Sequence, residues 1–380
     1  MMIITTMTML RARSSKSFFV MFLCWLISVS GVSQSLPDSF PSDTVWADLY
    51  CSTDGSADCA SVLNALIART DVHVIIFRPG TYRLKSFHQF PYTVSKPYHL
   101  GIHRSDLQLL GQPGATLITS AMAGTLCIHS TPRDFDGRVH DIRIEGLTFQ
   151  VDNESTSFQS YQEHCHTISL IGCQRVRICN NTFSNFWGDA ICLDHYGDNP
   201  QTGERQRNED VIISSNAIDG HQNCNRNGIS VINGKRIQID DNTLVRCAHS
   251  TMPGAIDIEP NYPCYSCQDI IIRRNHISQS SGANAAISLV CNKNGACVRK
   301  VLIEGNEIED CNRAIEVAIE TDEASADVTI RDNTSDERTE PYIFYGKGSA
   351  RRWRFVDNHF GRKSQNKLGG AIRFISSRIK

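Results

Sequence analysis

Apolar residues alternate with polar residues in short runs that recur along the chain. One pattern, apolar-x-apolar-x-x-Asn-x-apolar, appears as VRICNNTF from Val176, VIISSNAI from Val211 and IQIDDNTL from Ile237. Its asparagines are residues 181, 216, 242, 275, 306, 333 and 358. A period of two is typical of a strand with one buried face. Its recurrence predicts a solenoid whose stacked coils share one core.

A second apolar run lies between the copies of the first. It reads HTISLI from His166, DAICLD from Asp189, NGISVI from Asn227, GAIDIE from Gly254, AAISLV from Ala285 and RAIEVA from Arg313. Each coil therefore contains two or three short strands joined by turns. We expect each ladder asparagine to adopt a left-handed backbone conformation and to hydrogen-bond its own copy in the next coil.

The strand GAIDIEPN carries two carboxylates on the face opposite its isoleucines. Asp257 and Glu259 point outward together, about 6.6 Å apart at Cβ, and Asp194 shares the column of Glu259 two coils earlier, roughly 9.6 Å away. Inverting glycoside hydrolases separate their carboxylates by about 6.5–9.5 Å and retaining ones by about 5–5.5 Å. Asp257, Glu259 and Asp194 are therefore the candidate catalytic residues. Crowding is expected to raise the pKa of one of them.

Other polar and aromatic residues border this acidic strand. The candidate substrate-binding residues are His166, Asp189, His195, Arg226, Lys235 and Tyr262, and Tyr262 or Tyr265 can stack on a sugar. Simpler roles stay open for some of them: Asp189 fits an Asx-turn, the histidines fit loop hydrogen bonds, and Glu316 fits a solvated surface. No metal site is predicted, because the pair Cys264-x-x-Cys267 lacks a second ligand pair.

The region before the repeats carries a more specific sequence signature. The segment STDGSADCASVLNALIARTDVHVIIFRPGTYRL begins at Ser52 and contains an amphipathic helix pattern at about Ala60 to Arg69, with Asp58 as its N-cap. Together with the asparagine-laddered coils, it resembles the pectate-lyase-like right-handed parallel β-helix superfamily over roughly residues 45 to 360. The resemblance implies an all-β solenoid of about ten coils whose open end is capped by a short N-terminal helix.

The superfamily includes hydrolases, lyases, epimerases and non-catalytic phage spikes, so the resemblance leaves the reaction open. The polygalacturonase-like pattern is not matched, since Ala190 stands where a second Asp is expected and Arg-Ile-Lys occurs only at the chain end. A glycoside hydrolase without a cofactor is the leading prediction. The alternatives are a lyase or epimerase, with the acids binding calcium and Arg226 or Lys235 recruited, and a non-catalytic glycan-binding or surface protein.

The two ends of the chain differ in composition from the repeat region. Residues 1–33 resemble a signal peptide, with Arg11, Arg13 and Lys16 before an apolar run and a small-x-small cleavage site. Residues 34–85 form a capping segment, 86–360 the β-helix domain and 361–380 a basic tail. We predict a secreted protein without a membrane anchor after signal removal.

The number of cysteines agrees with export, and the net charge bears on the type of partner. Fourteen of the 15 cysteines follow the signal segment, and Cys51/Cys59 and Cys291/Cys297 are candidate disulfides. A net charge of -2 and a pI near 6.7 give no reason to expect a nucleic-acid partner. The expected partner is a polysaccharide, and the sequence sets no oligomeric state.

Overall fold

The computed structural model describes residues 43–90, 96–119, 122–130, 137–153, 157–158, 160–194, 207–319, 327–346 and 353–361. The predicted signal peptide, His195 and residues 362–380 of the predicted tail lie outside this part of the chain. All described residues belong to one compact unit, which spans residues 41–380.

Thirty-one short strands form three parallel sheets in the described residues. Sheet A contains β1 (Thr44–Trp46), β3 (Val74–Phe77), β6 (Leu107–Gly111), β9 (His140–Glu145), β12 (Gln174–Cys179), β15 (Asn208–Ser214), β18 (Gly234–Asp240), β21 (Ser266–Arg273), β24 (Cys297–Glu304), β27 (Val328–Arg331) and β30 (Trp353–Val356). Sheet B contains β2 (Asp54–Asp58), β4 (Gly80–Leu84), β7 (Ala115–Thr119), β10 (Thr148–Val151), β13 (Thr182–Ser184), β16 (Ala217–Asp219), β19 (Thr243–Val245), β22 (His276–Ser278), β25 (Glu307–Glu309), β28 (Thr334–Ser335) and β31 (His359–Phe360). Sheet C contains β5 (Tyr98–Ile102), β8 (Gly124–His129), β11 (Ile168–Ile171), β14 (Ile191–Asp194), β17 (Ile229–Val231), β20 (Ile256–Ile258), β23 (Ile287–Cys291), β26 (Arg313–Ile319) and β29 (Glu340–Gly346).

Successive coils stack in register, and their inward residues fill one continuous core. In sheet C, Ile191 pairs with Ile229, which pairs with Ile256, and all three are fully buried. This confirms the predicted all-β parallel β-helix. Sheets A and B contain eleven strands each and sheet C contains nine, against the predicted number of about ten coils.

The asparagine ladder stabilises the turn between sheets A and B. The backbone N–H of Asn216 donates to Oδ1 of Asn242 at 3.0 Å, and its Nδ2 donates to the same oxygen at 2.9 Å and to the carbonyl of Ile178 at 2.9 Å. The predicted bonding between copies is confirmed, but the predicted conformation is wrong. The left-handed residue is the one before the ladder asparagine, such as Ser215 with φ 56°, because the asparagine itself faces inward.

The single α-helix of the described residues, Ala60–Ala68, agrees with the predicted span to within one residue. The N-cap is Cys59 and not Asp58 as predicted, although the carboxylate of Asp58 accepts a hydrogen bond from the Ala60 amide at 3.0 Å. Asn64 connects the helix to β5, donating to the carbonyl of His99 and accepting from the amide of Gly101. Since β5 is the edge strand of sheet C, the helix lies against the strand that begins this sheet.

The fourteen cysteines from residue 51 onward are thiols in this structure. The thiol of Cys59 donates to the carbonyl of Ser52 at 3.4 Å, and neither the predicted Cys51–Cys59 nor the predicted Cys291–Cys297 bridge is formed. Among the described residues, no helix has the length and apolar character required to cross a bilayer.

Candidate functional site

The candidate site lies on the outer face of sheet C. In the first outward column, Ser230 pairs with Asp257 and Asp257 with Ser288, as the alternation predicted. In the second column, the amide of Glu259 continues the ladder by donating to the carbonyl of Val231 at 3.1 Å. The face is not bare, however. Asp257 is 0% exposed and Glu259 is half-buried, so neighbouring segments cover the acidic strand.

Asp257 is a buried carboxyl group without a hydrogen-bond partner. Neither of its carboxylate oxygens makes a hydrogen bond to any described residue. Burial and the neighbouring carboxylate of Glu259 raise the pKa of Asp257 well above its usual value, and Arg226 offsets only part of this effect. Because a buried charge is costly without partners, the burial of Asp257 favours its neutral form.

Arg226 is the buried cation of the site. Its Nη1 donates to Oδ2 of Asp189 at 2.8 Å and to Oγ of Ser230 at 3.3 Å, and its Nε lies 3.4 Å from a carboxylate oxygen of Glu163. Burial disfavours the charged guanidinium, but the carboxylates of Asp189 and Asp257 outweigh it and raise the pKa of Arg226. Arg226 therefore stays charged and lies among the carboxyl groups of Asp189, Asp257 and Glu163.

Asp189 is the direct counter-ion of Arg226. It is fully buried, and its Oδ1 accepts a hydrogen bond from the amide of Asn227 at 3.0 Å. Burial raises the pKa of Asp189 and Arg226 opposes that rise. We take the pair as ionic, since the short contact to Arg226 favours the carboxylate. Nδ1 of His166 accepts the amide proton of Asp189 at 3.1 Å, which fixes the start of the strand.

Glu259 lies on the solvent side of the same group. Burial raises its pKa, the charges of Arg226 and Lys293 oppose the rise, and the carboxylate of Glu163 adds to it. Lys293 is exposed, and Glu163 has a side chain that is 37% exposed. Of the Asp257–Glu259 pair, Glu259 is thus the carboxyl that a ligand can reach.

The other predicted residues differ in how they are placed relative to Asp257, Glu259 and Arg226. Asp194 is in the predicted column, two coils before Glu259, and accepts a hydrogen bond from Oγ of Ser169 at 3.4 Å. Tyr262 packs edge-on against Tyr265, with ring centroids 5.1 Å apart. Tyr265 is 1% exposed, so it cannot stack on a sugar as predicted.

Lys235 does not join the acidic group. It lies on sheet A, paired with Glu209 and Gln268 in the neighbouring coils, because the chain has turned the corner from sheet C to sheet A just before it. The predicted recruitment of Lys235 to the acidic site is therefore wrong. His195 falls outside the described residues.

Three residues of the site were not predicted from the sequence. Glu163 precedes β11, Lys293 lies in the turn after β23, and Glu316 belongs to the first outward column. Glu316 was expected on the surface, but it is buried, and burial raises its pKa. For Glu316, the repeat pattern did contain a signal, because Glu316 continues the outward column of Asp257. Glu163 and Lys293 reach the site from loops outside the repeat, so the pattern could not indicate them.

A groove of about 900 Å³ lies elsewhere, on the outer face of sheet A. Arg143, Arg175, Arg177 and Arg236 line it, together with Asp141, Asp210 and Asp269 among others. Most of these charges are exposed and paired; Arg175, for example, forms two 2.8 Å hydrogen bonds with Asp141. Paired surface charges are ordinary, whereas an unpaired buried carboxyl is not. We therefore place the candidate site on sheet C.

Comparison with known proteins agrees with this architecture. Residues 166–377 match the family described as a right-handed β-helix region. Comparison with curated proteins finds no match. Similar solved structures include an iota-carrageenase complexed to iota-carrageenan fragments, at TM-score 0.51 and 12% identity, covering 77% of this chain and 61% of the other. The GH82 iota-carrageenase from A. fortis is similar at TM-score 0.51 and 10% identity, covering 90% of this chain and 97% of the other.

A third similar structure is the tailspike protein gp49 from Acinetobacter baumannii bacteriophage Fri1, a capsular polysaccharide depolymerase. Its TM-score is 0.50 at 11% identity, and the match covers 85% of this chain and 63% of the other. At these identities the likeness concerns the fold alone. The family match covers more than half of the sequence, and the three parallel sheets have the architecture that it describes. The chain therefore belongs to the right-handed β-helix family.

Proposed function

We propose that this protein is a glycoside hydrolase that acts on a polysaccharide, with Glu259 as the proton donor. The observation that carries the proposal is a carboxyl group with a raised pKa at a position that a ligand can reach. A general acid must hold its proton near neutral pH and must touch the glycosidic oxygen. The polysaccharide-acting proteins among the similar folds support the class of substrate.

Asp194 is the proposed general base. It is half-buried, as Glu259 is, and lies in the same outward column two coils away. Two coil spacings amount to roughly 9.6 Å, close to the upper end of the range in which inverting enzymes hold a water between their carboxylates. Ile232 occupies the column position between them. We therefore expect inversion at the anomeric carbon.

Asp257 takes a different role in this proposal. Because it is fully buried, it does not touch a sugar in this conformation, and we assign it as a positioning residue. Burial raises the pKa of both Asp257 and Glu259, so it favours the neutral form at both positions. A neutral Asp257 leaves Arg226 paired with Asp189 and beside the carboxylate of Glu163.

A polysaccharide lyase is the second candidate, and one observation favours it. The unbonded carboxyl group of Asp257 interacts electrostatically with the carboxylates of Asp189, Glu259 and Glu316, and carboxylate oxygens are the ligands that calcium prefers. In this alternative the acids hold the cation that neutralises a uronate carboxylate. Lys293, the lysine that acts on Glu259 electrostatically, then takes the place of the base predicted at Lys235.

Product analysis tests both candidates. The mature protein is incubated with neutral, sulfated and uronic-acid polysaccharides, and new reducing ends and unsaturated products are measured together. For the hydrolase we expect reducing ends without unsaturation, and a loss of about 10²–10⁴-fold in rate for Glu259→Gln. Glu307→Gln is the matched control, because Glu307 is an exposed glutamate on sheet B.

The other outcomes decide against the hydrolase. Unsaturated products that disappear with a calcium chelator establish the lyase. Binding without any product, unchanged in Glu259→Gln, identifies a non-catalytic glycan-binding protein. Export is part of the same proposal, because such a polymer lies outside the cell. N-terminal sequencing of protein recovered from the medium or periplasm tests cleavage near residue 33.

A further inference from the structure

Three histidines from separate segments meet at the first coils of sheet C. His88 follows β4, His103 follows β5 and His129 is the last residue of β8. One ring nitrogen of each lies within 4.8 Å of the others. The ring centroids of His103 lie 5.8 Å from those of His88 and of His129. The group contains no carboxylate or thiol among the described residues.

Glycine at position 101 provides the space for one of these rings. A Cβ atom at Gly101 would lie 2.3 Å from Cδ2 and 2.5 Å from Nε2 of His88, distances that real side chains do not show. The His88 ring therefore lies directly over the strand backbone, where its Nε2 is buried without a hydrogen bond to any described residue. The ring of Phe90 packs between His88 and His129, with centroids 4.7 Å and 5.1 Å away.

The chemistry of this group fits a borderline metal ion. Burial lowers the pKa of all three imidazoles, and that of His129 to about 3. Neutral imidazole nitrogens are ligands of zinc at about 2.0–2.1 Å, and a tetrahedral site sets them about 3.3 Å apart. Side-chain rotations that shorten the present separations by about 1.5 Å reach that geometry. Calcium and magnesium prefer oxygen ligands and are disfavoured here.

We propose that His88, His103 and His129 bind one Zn²⁺ ion. His103 is exposed, so the fourth coordination position faces solvent and takes water or an external ligand. His103 and His129 extend the outward column of Asp194 and Glu259, and four coil spacings place His129 roughly 19 Å from Glu259. The metal site is thus on the same face as the acidic site and separate from it. No metal-binding motif is visible in the sequence, because the three ligands come from non-adjacent segments.

Metal titration of the full chain, freed of metal by dialysis against a chelator, tests the site. ZnCl₂ is titrated by calorimetry, and X-ray absorption of the loaded protein gives the ligand type. We expect one ion per chain and a shell of nitrogen and oxygen at about 2.0–2.1 Å. His103→Ala is the first variant, because its exposed side chain can be removed without opening the core. It should weaken binding at least tenfold.

Two further variants test whether the group of three histidines is the metal-binding site. Gly101→Ala displaces the His88 ring without removing a ligand and should weaken binding by about 10–100-fold. His276→Ala, which removes a half-buried histidine from sheet B, should leave binding unchanged. Circular dichroism confirms that each variant is folded. A sulfur shell, equal binding in His103→Ala and wild type, or no binding at all overturns the proposal.

Discussion

The outer faces of sheets A and C differ in whether their charged side chains are exposed and paired or buried. On sheet A, acids and bases alternate along a column of left-handed residues that includes Asp141, Arg175, Asp210 and Arg236. Arg175 pairs with Asp141 and Arg236 with Asp210, and all four side chains are more than 40% exposed. On sheet C, four carboxyl groups interact with Arg226, those of Asp189, Asp257, Glu163 and Glu259, and the first two are fully buried.

The difference is between exposed charges that form ion pairs and a buried carboxyl group that accepts no hydrogen bond from any described residue. An exposed ion pair costs little and contributes about 0–1 kcal/mol. A buried carboxyl without a partner costs free energy, so its persistence at Asp257 requires an explanation other than stability. The groove on sheet A is therefore a weaker indication of an active site than the covered acids of sheet C.

Removing the buried cation should have the largest effect. Arg226→Met leaves Asp189 buried and uncompensated, so we expect a loss of about 3–5 kcal/mol in the free energy of unfolding, measured by urea denaturation. The double variant Arg226→Met/Asp189→Asn should recover much of the loss. Arg175→Met on sheet A is the matched control and should cost no more than about 1 kcal/mol. Equal losses for the two arginines would remove the contrast between the sheets.

The pH dependence of stability should have opposite signs on the two faces. Folding raises the pKa of Asp257 above the unfolded value of about 3.9, so the wild-type protein loses stability as the pH rises from about 4 towards the folded pKa. Asp257→Asn carries no proton to lose. It should gain stability relative to wild type as the pH rises, in chemical denaturation at a series of pH values.

Asp141 on sheet A should show the opposite pH dependence of stability from Asp257. Hydrogen bonds from Arg175 lower its pKa to about 2, so its contribution is present above about pH 4 and is lost as the pH falls through 2. Asp141→Asn should therefore differ from wild type most above pH 4 and least at the acid end. The same sign for Asp257→Asn would mean that Asp257 is ionised in the folded protein.

The smallest effect is expected for a surface pair. A double-mutant cycle with Arg175→Ala and Asp141→Ala should give a coupling energy of about 0.2–1 kcal/mol, because both side chains remain hydrated. Added salt should reduce it further. A coupling above about 3 kcal/mol, unaffected by salt, would show that the sheet A column is as strongly coupled as the sheet C group.

The fold could be predicted because its signals are local and repeated. Ile191, Ile229 and Ile256 occupy the same place in three copies of one run, so the register of sheet C followed from alignment alone. The bonding of the asparagine ladder followed in the same way. The left-handed residue was assigned one position too late, since sequence repetition does not distinguish the turn residue from its inward-facing neighbour.

The site was predictable only as far as the repeat extends. The columns of Asp257, Glu259 and Asp194 were set by alternation, but their burial was not, because burial depends on loops between the coils. Glu163 and Lys293 come from such loops. Arg226 and Asp189 were named as candidates, yet their ion pair crosses from one coil to the next. The three histidines carry no common pattern, since each stands alone in its own segment.

The single coil between Asp194 and Glu259 has a consequence for the proposed hydrolase. Coils are interchangeable units, so the gain or loss of one whole coil leaves the core and the ladder continuous. Deleting the coil that contributes Ile232 would shorten the spacing from roughly 9.6 Å to roughly 4.8 Å, near the separation of retaining enzymes. In this architecture, an insertion or deletion in the gene can act on stereochemistry as directly as a substitution acts on a side chain.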